Sequence, residues 1–142
     1  MKPQVVLVDE KDNQIGTAGK LDCHVSPRLH RAFSIFIFNS KGDLLIQQRS
    51  ARKYHCTGLW SNTCCSHPES HQTLKEAARL RLRVEMGFET DLEEIDAFMY
   101  KAELDNGLTE YEFDHIFKGT WNGIPNFIQK KFLIISGLDY KT

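Results

Sequence analysis

Apolar and polar positions follow two rhythms along this chain, one of period two and one of helical period. Val5 to Val8 is a short apolar run that predicts a strand, and Lys11-Asp12-Asn13 predicts a turn before Ile15-Gly16-Thr17. Phe33-Ser34-Ile35-Phe36-Ile37-Phe38 is strongly strand-like, and Asn39-Ser40-Lys41-Gly42-Asp43 turns it into Leu44-Leu45-Ile46, a predicted hairpin. From Thr73 the rhythm changes. Leu74, Ala77, Ala78 and Leu82 form a stripe at helical spacing, and Thr73 with Glu76 matches a capping box. Gly87 stands where a left-handed C-terminal cap would fall. Further on, Phe98 to Glu103 and Leu108 to Phe117 flank Asp105-Asn106-Gly107, a second hairpin signal. Strands interleaved with one long helix predict an α+β or α/β layered domain.

The 142 residues suit a single domain, long enough to bury roughly two thirds of its unfolded surface. Eighteen basic and nineteen acidic residues give a net charge of −1, so no general affinity for nucleic acid or a membrane surface follows. The N-terminal apolar run is too short for a signal peptide, and no run is long enough to cross a bilayer. The cysteines are Cys23, Cys56, Cys64 and Cys65; two are adjacent, an awkward basis for a disulfide framework, so reduced thiols in a cytoplasmic protein are expected.

The chemistry concentrates in two places. Cys65-Ser66-His67-Pro68 sets a thiol two residues from an imidazole just upstream of the helix, and Glu110-Tyr111-Glu112 sets two carboxylates at strand spacing. Glu110 and Glu112 then share one face, where they repel unless a cation or a shared proton compensates; a solvated edge strand is the plain alternative. His24, His30 and His67 with these two acids form a plausible N/O set for zinc, manganese or iron. Cys64, Cys65 and His67 suggest a zinc knuckle instead, but no second ligand pair follows at the required distance. Lys20, Arg49, Lys53 and Arg81 are individually ordinary surface charges; together they suit a diphosphate, which takes several donors and often Mg²⁺.

These residues resemble the type I isopentenyl-diphosphate delta-isomerases, a family with a Nudix-type fold. The likeness runs from about Gly16 to about Phe127, through Arg28-Leu29-His30-Arg31-Ala32-Phe33-Ser34, Gly58-Leu59-Trp60-Ser61-Asn62, Cys65-Ser66-His67-Pro68, Arg83-Val84-Glu85-Met86-Gly87 and Glu110-Tyr111-Glu112. It implies a mixed sheet layered with helices, an α/β/α sandwich, and interconversion of isopentenyl and dimethylallyl diphosphate. It also implies Cys65 and Glu112 as catalytic residues, and His24, His30, His67, Glu110 and Glu112 as ligands of Mn²⁺, Zn²⁺ or Mg²⁺. Glu85 would hold Mg²⁺ against the substrate diphosphate, Lys20, Arg49, Lys53 and Arg81 would contact that diphosphate, and Tyr100 would stand beside Glu112. Trp60 is the aromatic expected to face the carbocation. Members are expected to be mainly monomeric. The competing reading is a Nudix hydrolase, whose helix signature, aligned on Glu85 and Gly87, calls for glutamate at Gln72, Arg81 and Val84; of its carboxylates only Glu85 is present.

After Phe127 the likeness ends. Relatives of this kind continue with an acidic segment ending in tryptophan, whereas Ile128 to Thr142 is basic and apolar. Ile128 to Gly137 has a codon spelling in which one restored A upstream reads Asn-Pro-Glu-Glu-Val-Ser-Asp-Tyr-Lys-Trp. A single-nucleotide deletion is therefore expected, with residues 128–142 an atypical tail that joins a sheet edge, packs locally or promotes self-association. Three readings stand at this point: active isomerase, folded but impaired isomerase remnant, and Nudix hydrolase or diphosphate-binding module.

Overall fold

Strand β3 (His30–Phe38) is the spine of a mixed sheet in this computed structural model, which describes residues 3–48, 60–104, 107–123 and 132–135. On one side β3 runs parallel to β8 (Thr109–Thr120), from His30 opposite Glu112 to Phe38 opposite Thr120. On its other side three strands meet it antiparallel in turn. These are β1 (Gln4–Val8) at His30, β6 (Cys64–Ser66) at Phe33 to Ile35, and β4 (Leu44–Gln48) at Ile37 and Phe38. Outer strands extend the sheet: β2 (Gln14–Gly19) on β1, β7 (Glu93–Glu103) on β8, and β5 (Trp60–Ser61) with β9 (Phe132–Ile135) on β4.

A parallel pair needs a long crossover, and the chain between β3 and β8 supplies one that contains α2 (Leu74–Met86). This helix buries Ala77, Ala78, Leu82 and Met86 against Phe33, Ile35, Ile37 and Phe117. The short α1 (Lys20–Val25) places Cys23 against Val5 and Leu7. Val6 and Val8 point the other way and join Phe113, which shares a face with Phe117. The two helices thus lie on opposite faces, and the layered α+β expectation holds.

Both ends of α2 are as the sequence predicts. Thr73 Oγ1 accepts from the Glu76 amide at 3.1 Å, and Glu76 Oε2 accepts from the Thr73 amide at 3.2 Å. Gly87 closes the helix at φ 77°, a conformation that a side chain would strain. Thr73→Ala is expected to lower stability by about 1 kcal/mol in chemical denaturation, with little change in the unfolding slope.

Elsewhere the boundaries move. β3 starts at His30 rather than Phe33, because His30 to Ala32 are claimed by the β8 ladder. β7 starts at Glu93 rather than Phe98; Glu93-Glu94-Ile95-Asp96 is a largely polar edge segment held by β8, not by its own apolar pattern. The first turn works as expected, with Asp9 Oδ1 accepting from the Lys11 and Asn13 amides and Asp12 at φ 64°. In the second hairpin Leu104 N–H meets the Leu108 carbonyl at 2.7 Å and Gly107 has φ 70°, while Asp105 and Asn106 lie outside the described residues. Of the atypical tail, Phe132–Ile135 adds to β4 in the register Leu44 to Ile135, so this part joins a sheet edge. Residues 128–131 and 136–142 lie outside the described residues. Among the described residues no helix is long and apolar enough to cross a membrane.

Candidate active site

Two registers on β3 assemble the site. Parallel pairing sets His30 beside Glu112, and antiparallel pairing sets Ser34 beside Cys65. His30, Ala32 and Ser34 share one face by alternation, with His30 and Ser34 roughly 13 Å apart along the strand. β6 runs against β3, so two residues beyond Cys65 the chain has turned back toward His30 and brings His67 with it. A cavity of about 630 Å³ lies here, and Lys20, His24, Cys65, His67, Arg81, Glu85, Tyr100, Glu110 and Glu112 all line it.

His30, His67 and Glu112 offer ligand atoms within 4.8 Å of one another, a group able to hold a metal ion. The ring nitrogens are prepared for that role. His30 Nδ1 lies 2.9 Å from the Arg28 carbonyl, and His24 Nδ1 lies 2.8 Å from the Lys20 carbonyl. A carbonyl accepts only, so both rings carry the proton on Nδ1 and turn Nε2 to the site. His30 Nε2 is buried, has no hydrogen-bond partner among the described residues, and sits 3.3 Å from Glu112 Oε2. A neutral ring in this tautomer sets lone pair against carboxylate, an arrangement that a cation between them would relieve. His67 Nε2 is 2.7 Å from the same oxygen. The His24 ring stands 5.7 Å from His30 and 6.3 Å from His67, centre to centre, at the margin of the cluster.

Tyr100 lies across from Glu112 in the β7–β8 ladder, and its hydroxyl meets both Glu112 Oε1 and Glu110 Oε2, the latter at 2.8 Å. Glu110 and Glu112 therefore do share a face. A phenol has one hydrogen, so the second carboxylate gains no donor from it. Burial and the flanking charges of Glu112 and Glu110 push the Tyr100 hydroxyl far above its ordinary value. Burial works against the Glu112 carboxylate, but the hydrogen bonds from His67 and Tyr100 outweigh it and hold Glu112 well below the ordinary range. Burial also pushes His67 down, against the pull of Glu112. The two directions agree if His67 is a neutral ring donating Nε2–H to an ionised Glu112.

On the thiol side, Cys65 Sγ is 3.0 Å from Asn62 Oδ1 and 3.6 Å from Ser34 Oγ. The residue opens onto the cavity, not onto a flat surface, and burial among the surrounding atoms pushes its thiol up to about 12. Ser34 and Asn62 would pull that value down only by turning donors to the sulfur; as placed, Asn62 presents its oxygen. Asp114, buried behind Ser34, is raised to about 7 by burial and by the charges of Glu112 and Glu110, against the hydrogen bond from Ser34.

On α2, Arg81 Nη2 meets Glu85 Oε1 at 3.1 Å, so the retained helix glutamate faces a cation one turn away. Arg49 and Lys53 lie outside the described residues. Trp60 departs from expectation: it is 44 % exposed on β5 and does not line the cavity, because Gln48 and Trp60 end the β4–β5 ladder at the sheet margin. Three lining or supporting groups received no role from sequence: Ser34, Asn62 and Asp114. Asp114 had a readable signal, since it continues the alternation of Glu110 and Glu112 on the same strand face. Ser34 and Asn62 matter through long-range register, which local pattern does not carry.

The NUDIX domain family matches residues 28–131. A protein named isopentenyl-diphosphate Delta-isomerase 2 from Photorhabdus laumondii is 53 % identical over 121 residues, covering 85 % of this chain and 68 % of its own length. One of the same name from Aromatoleum aromaticum is 51 % identical, covering 88 % and 66 %, and an isopentenyl-diphosphate Delta-isomerase from Burkholderia multivorans is 48 % identical, covering 91 % and 74 %. The chain thus spans about two thirds to three quarters of these relatives. Among solved structures, a protein from Deinococcus radiodurans superposes with TM-score 0.70 at 22 % identity, covering 92 % of this chain and 83 % of its own. A MutT protein from Methanosarcina mazei gives 0.62 at 18 %, covering 76 % and 77 %. At these identities the structural likeness speaks to the fold.

Proposed function

The chain belongs to the isopentenyl-diphosphate Delta-isomerase family within the Nudix domain proteins, and we propose that its cavity interconverts isopentenyl and dimethylallyl diphosphate. One observation carries this reading: a buried carboxylate bonded to a half-buried phenol, and a thiol four β3 positions away, line a single cavity. An unactivated alkene needs such a pair. A proton added to C4 leaves a tertiary cation at C3, and removal of a proton from C2 restores a double bond one position along. Proton donor and acceptor must therefore stand on different sides of a five-carbon substrate.

In this reading Glu112 with Tyr100 exchanges a proton on one side and Cys65 on the other. Each group is returned to its starting state by the reverse traverse or by exchange with solvent. Glu110 keeps the Tyr100 hydroxyl in place. A divalent cation held by His30, His67 and Glu112, with His24 and Glu110 beside them, would supply the positive charge that makes the surrounding acids stronger. We infer Mn²⁺, Zn²⁺ or Mg²⁺ for that position. Lys20 and Arg81 line the cavity and suit the diphosphate, with Arg49 and Lys53 assigned by resemblance; Glu85 suits a Mg²⁺ carried in with the substrate. Walls of protein around the carbon skeleton keep water from trapping the cation as an alcohol.

Hydrolysis of a diphosphate is poorly supported by α2. Arg81 occupies a position where the hydrolase signature calls for glutamate, so α2 lacks the further carboxylates that a hydrolase's metal cluster needs. The thiols of Cys23 and Cys65 support a reducing, cytoplasmic setting. Incubating the purified protein with isopentenyl diphosphate and Mg²⁺ tests the proposal by chromatography. Dimethylallyl diphosphate is expected; release of inorganic phosphate without isomer would replace the reading with hydrolysis.

A further inference from the structure

Asn62 contacts the Cys65 sulfur through an amide with no rotational freedom left. Its Nδ2 donates to the Ile35 carbonyl on β3 at 2.9 Å and to the Cys64 carbonyl on β6 at 3.0 Å. Both amide hydrogens are thereby engaged by two different strands, and Oδ1 is turned to Cys65 Sγ at 3.0 Å. Ser34 Oγ lies on another side of the sulfur at 3.6 Å, and its hydrogen goes to the Asp114 carboxylate at 2.8 and 3.1 Å. Ser34 and Cys65 are direct partners in the β3–β6 ladder, so backbone register fixes this second contact. Both groups facing the sulfur present oxygen lone pairs, and either can accept the thiol hydrogen.

Building on the isomerase reading, we propose that Asn62 and Ser34 are positioning residues for Cys65, locking its sulfur at the cavity wall. A cysteine side chain has one heavy-atom torsion and three staggered choices. Without the amide bracket the sulfur samples the other two, and a reacting atom displaced by about 1 Å can lose a hundredfold in rate. Neither residue supplies charge for a diphosphate, so the loss falls on turnover and not on substrate affinity.

Two readouts test this, one of which needs no turnover. In Asn62→Ala, kcat is expected to fall about tenfold or more with KM within about twofold, and iodoacetamide at one fixed pH is expected to label Cys65 about fivefold faster. Labelling is located by mass spectrometry on the peptide carrying Cys65. Ser34→Ala is expected to move both readouts in the same directions, while Ser34→Thr, which keeps the hydroxyl, stays within about twofold of the parent. If Asn62→Ala does not fold, the contrast between Ser34→Ala and Ser34→Thr decides. Unchanged Cys65 labelling in folded Asn62→Ala, or equal effects of Ser34→Ala and Ser34→Thr, would overturn the proposal. A parent protein without isomerase activity would sink the functional reading alone, since the labelling contrast stands without it.

Discussion

Cys65→Ala is expected to lower isomerisation by a hundred- to ten-thousandfold, the range for loss of a positioned acid or base. The fold should survive, because Cys65 opens onto the cavity and no core cluster contains it. Cys64→Ala provides the control. Its side chain is fully buried between β3 and α2, on the opposite strand face from Cys65, and does not line the cavity. That change is expected to cost roughly 1 kcal/mol of stability from lost packing and to leave turnover near the parent value. Steady-state kinetics with denaturation curves on both variants check the pair. Comparable loss of turnover in both would leave the assignment of the thiol without support.

Glu112→Gln is expected to be equally severe for turnover and, unlike Cys65→Ala, to abolish tight metal binding. Glu112 is the one carboxylate in the three-residue cluster and the shared partner of His30, His67 and Tyr100. The amide keeps the shape but loses the charge, and its NH₂ would face donors. Metal content after dialysis, alongside kcat, checks this; full metal occupancy in Glu112→Gln would contradict the assigned ligand set. A pH signature should accompany it in the metal-free protein. Because the folded state holds Glu112 below its ordinary value, this group stabilises the fold above the ordinary carboxylate range. That contribution is lost as pH falls below it toward the depressed folded value. Acid unfolding of the parent therefore contains a component that Glu112→Gln lacks.

How much of this was readable depends on whether the relevant physics is local. The α2 caps were readable because Thr73, Glu76 and Gly87 act within a turn of one another. The common face of Glu110 and Glu112 was readable from strand alternation alone. His30, His67 and Glu112 could be grouped as metal donors from residue type, but their convergence depends on a parallel ladder on one side of β3 and an antiparallel one on the other, which local pattern does not carry. The helix α1 gave no signal: it has six residues, a glycine N-cap and no side-chain cap, and it exists because Cys23 and His24 are buried against the sheet. Trp60 lies off the cavity lining for a related reason. Nearness in sequence to Cys65 is not nearness in space, because the turn at Asn62 and Thr63 sends Trp60 to β4 while Cys65 returns along β3.

In the proposed reaction this cavity moves protons to and from carbon. Incubating the protein with isopentenyl diphosphate and Mg²⁺ in deuterium oxide, with the products followed by NMR, tests it most directly. Dimethylallyl diphosphate with deuterium in the new methyl group and solvent exchange at C2 are expected, both lost in Cys65→Ala and Glu112→Gln. Inorganic phosphate accumulating while the carbon skeleton stays free of deuterium would contradict it.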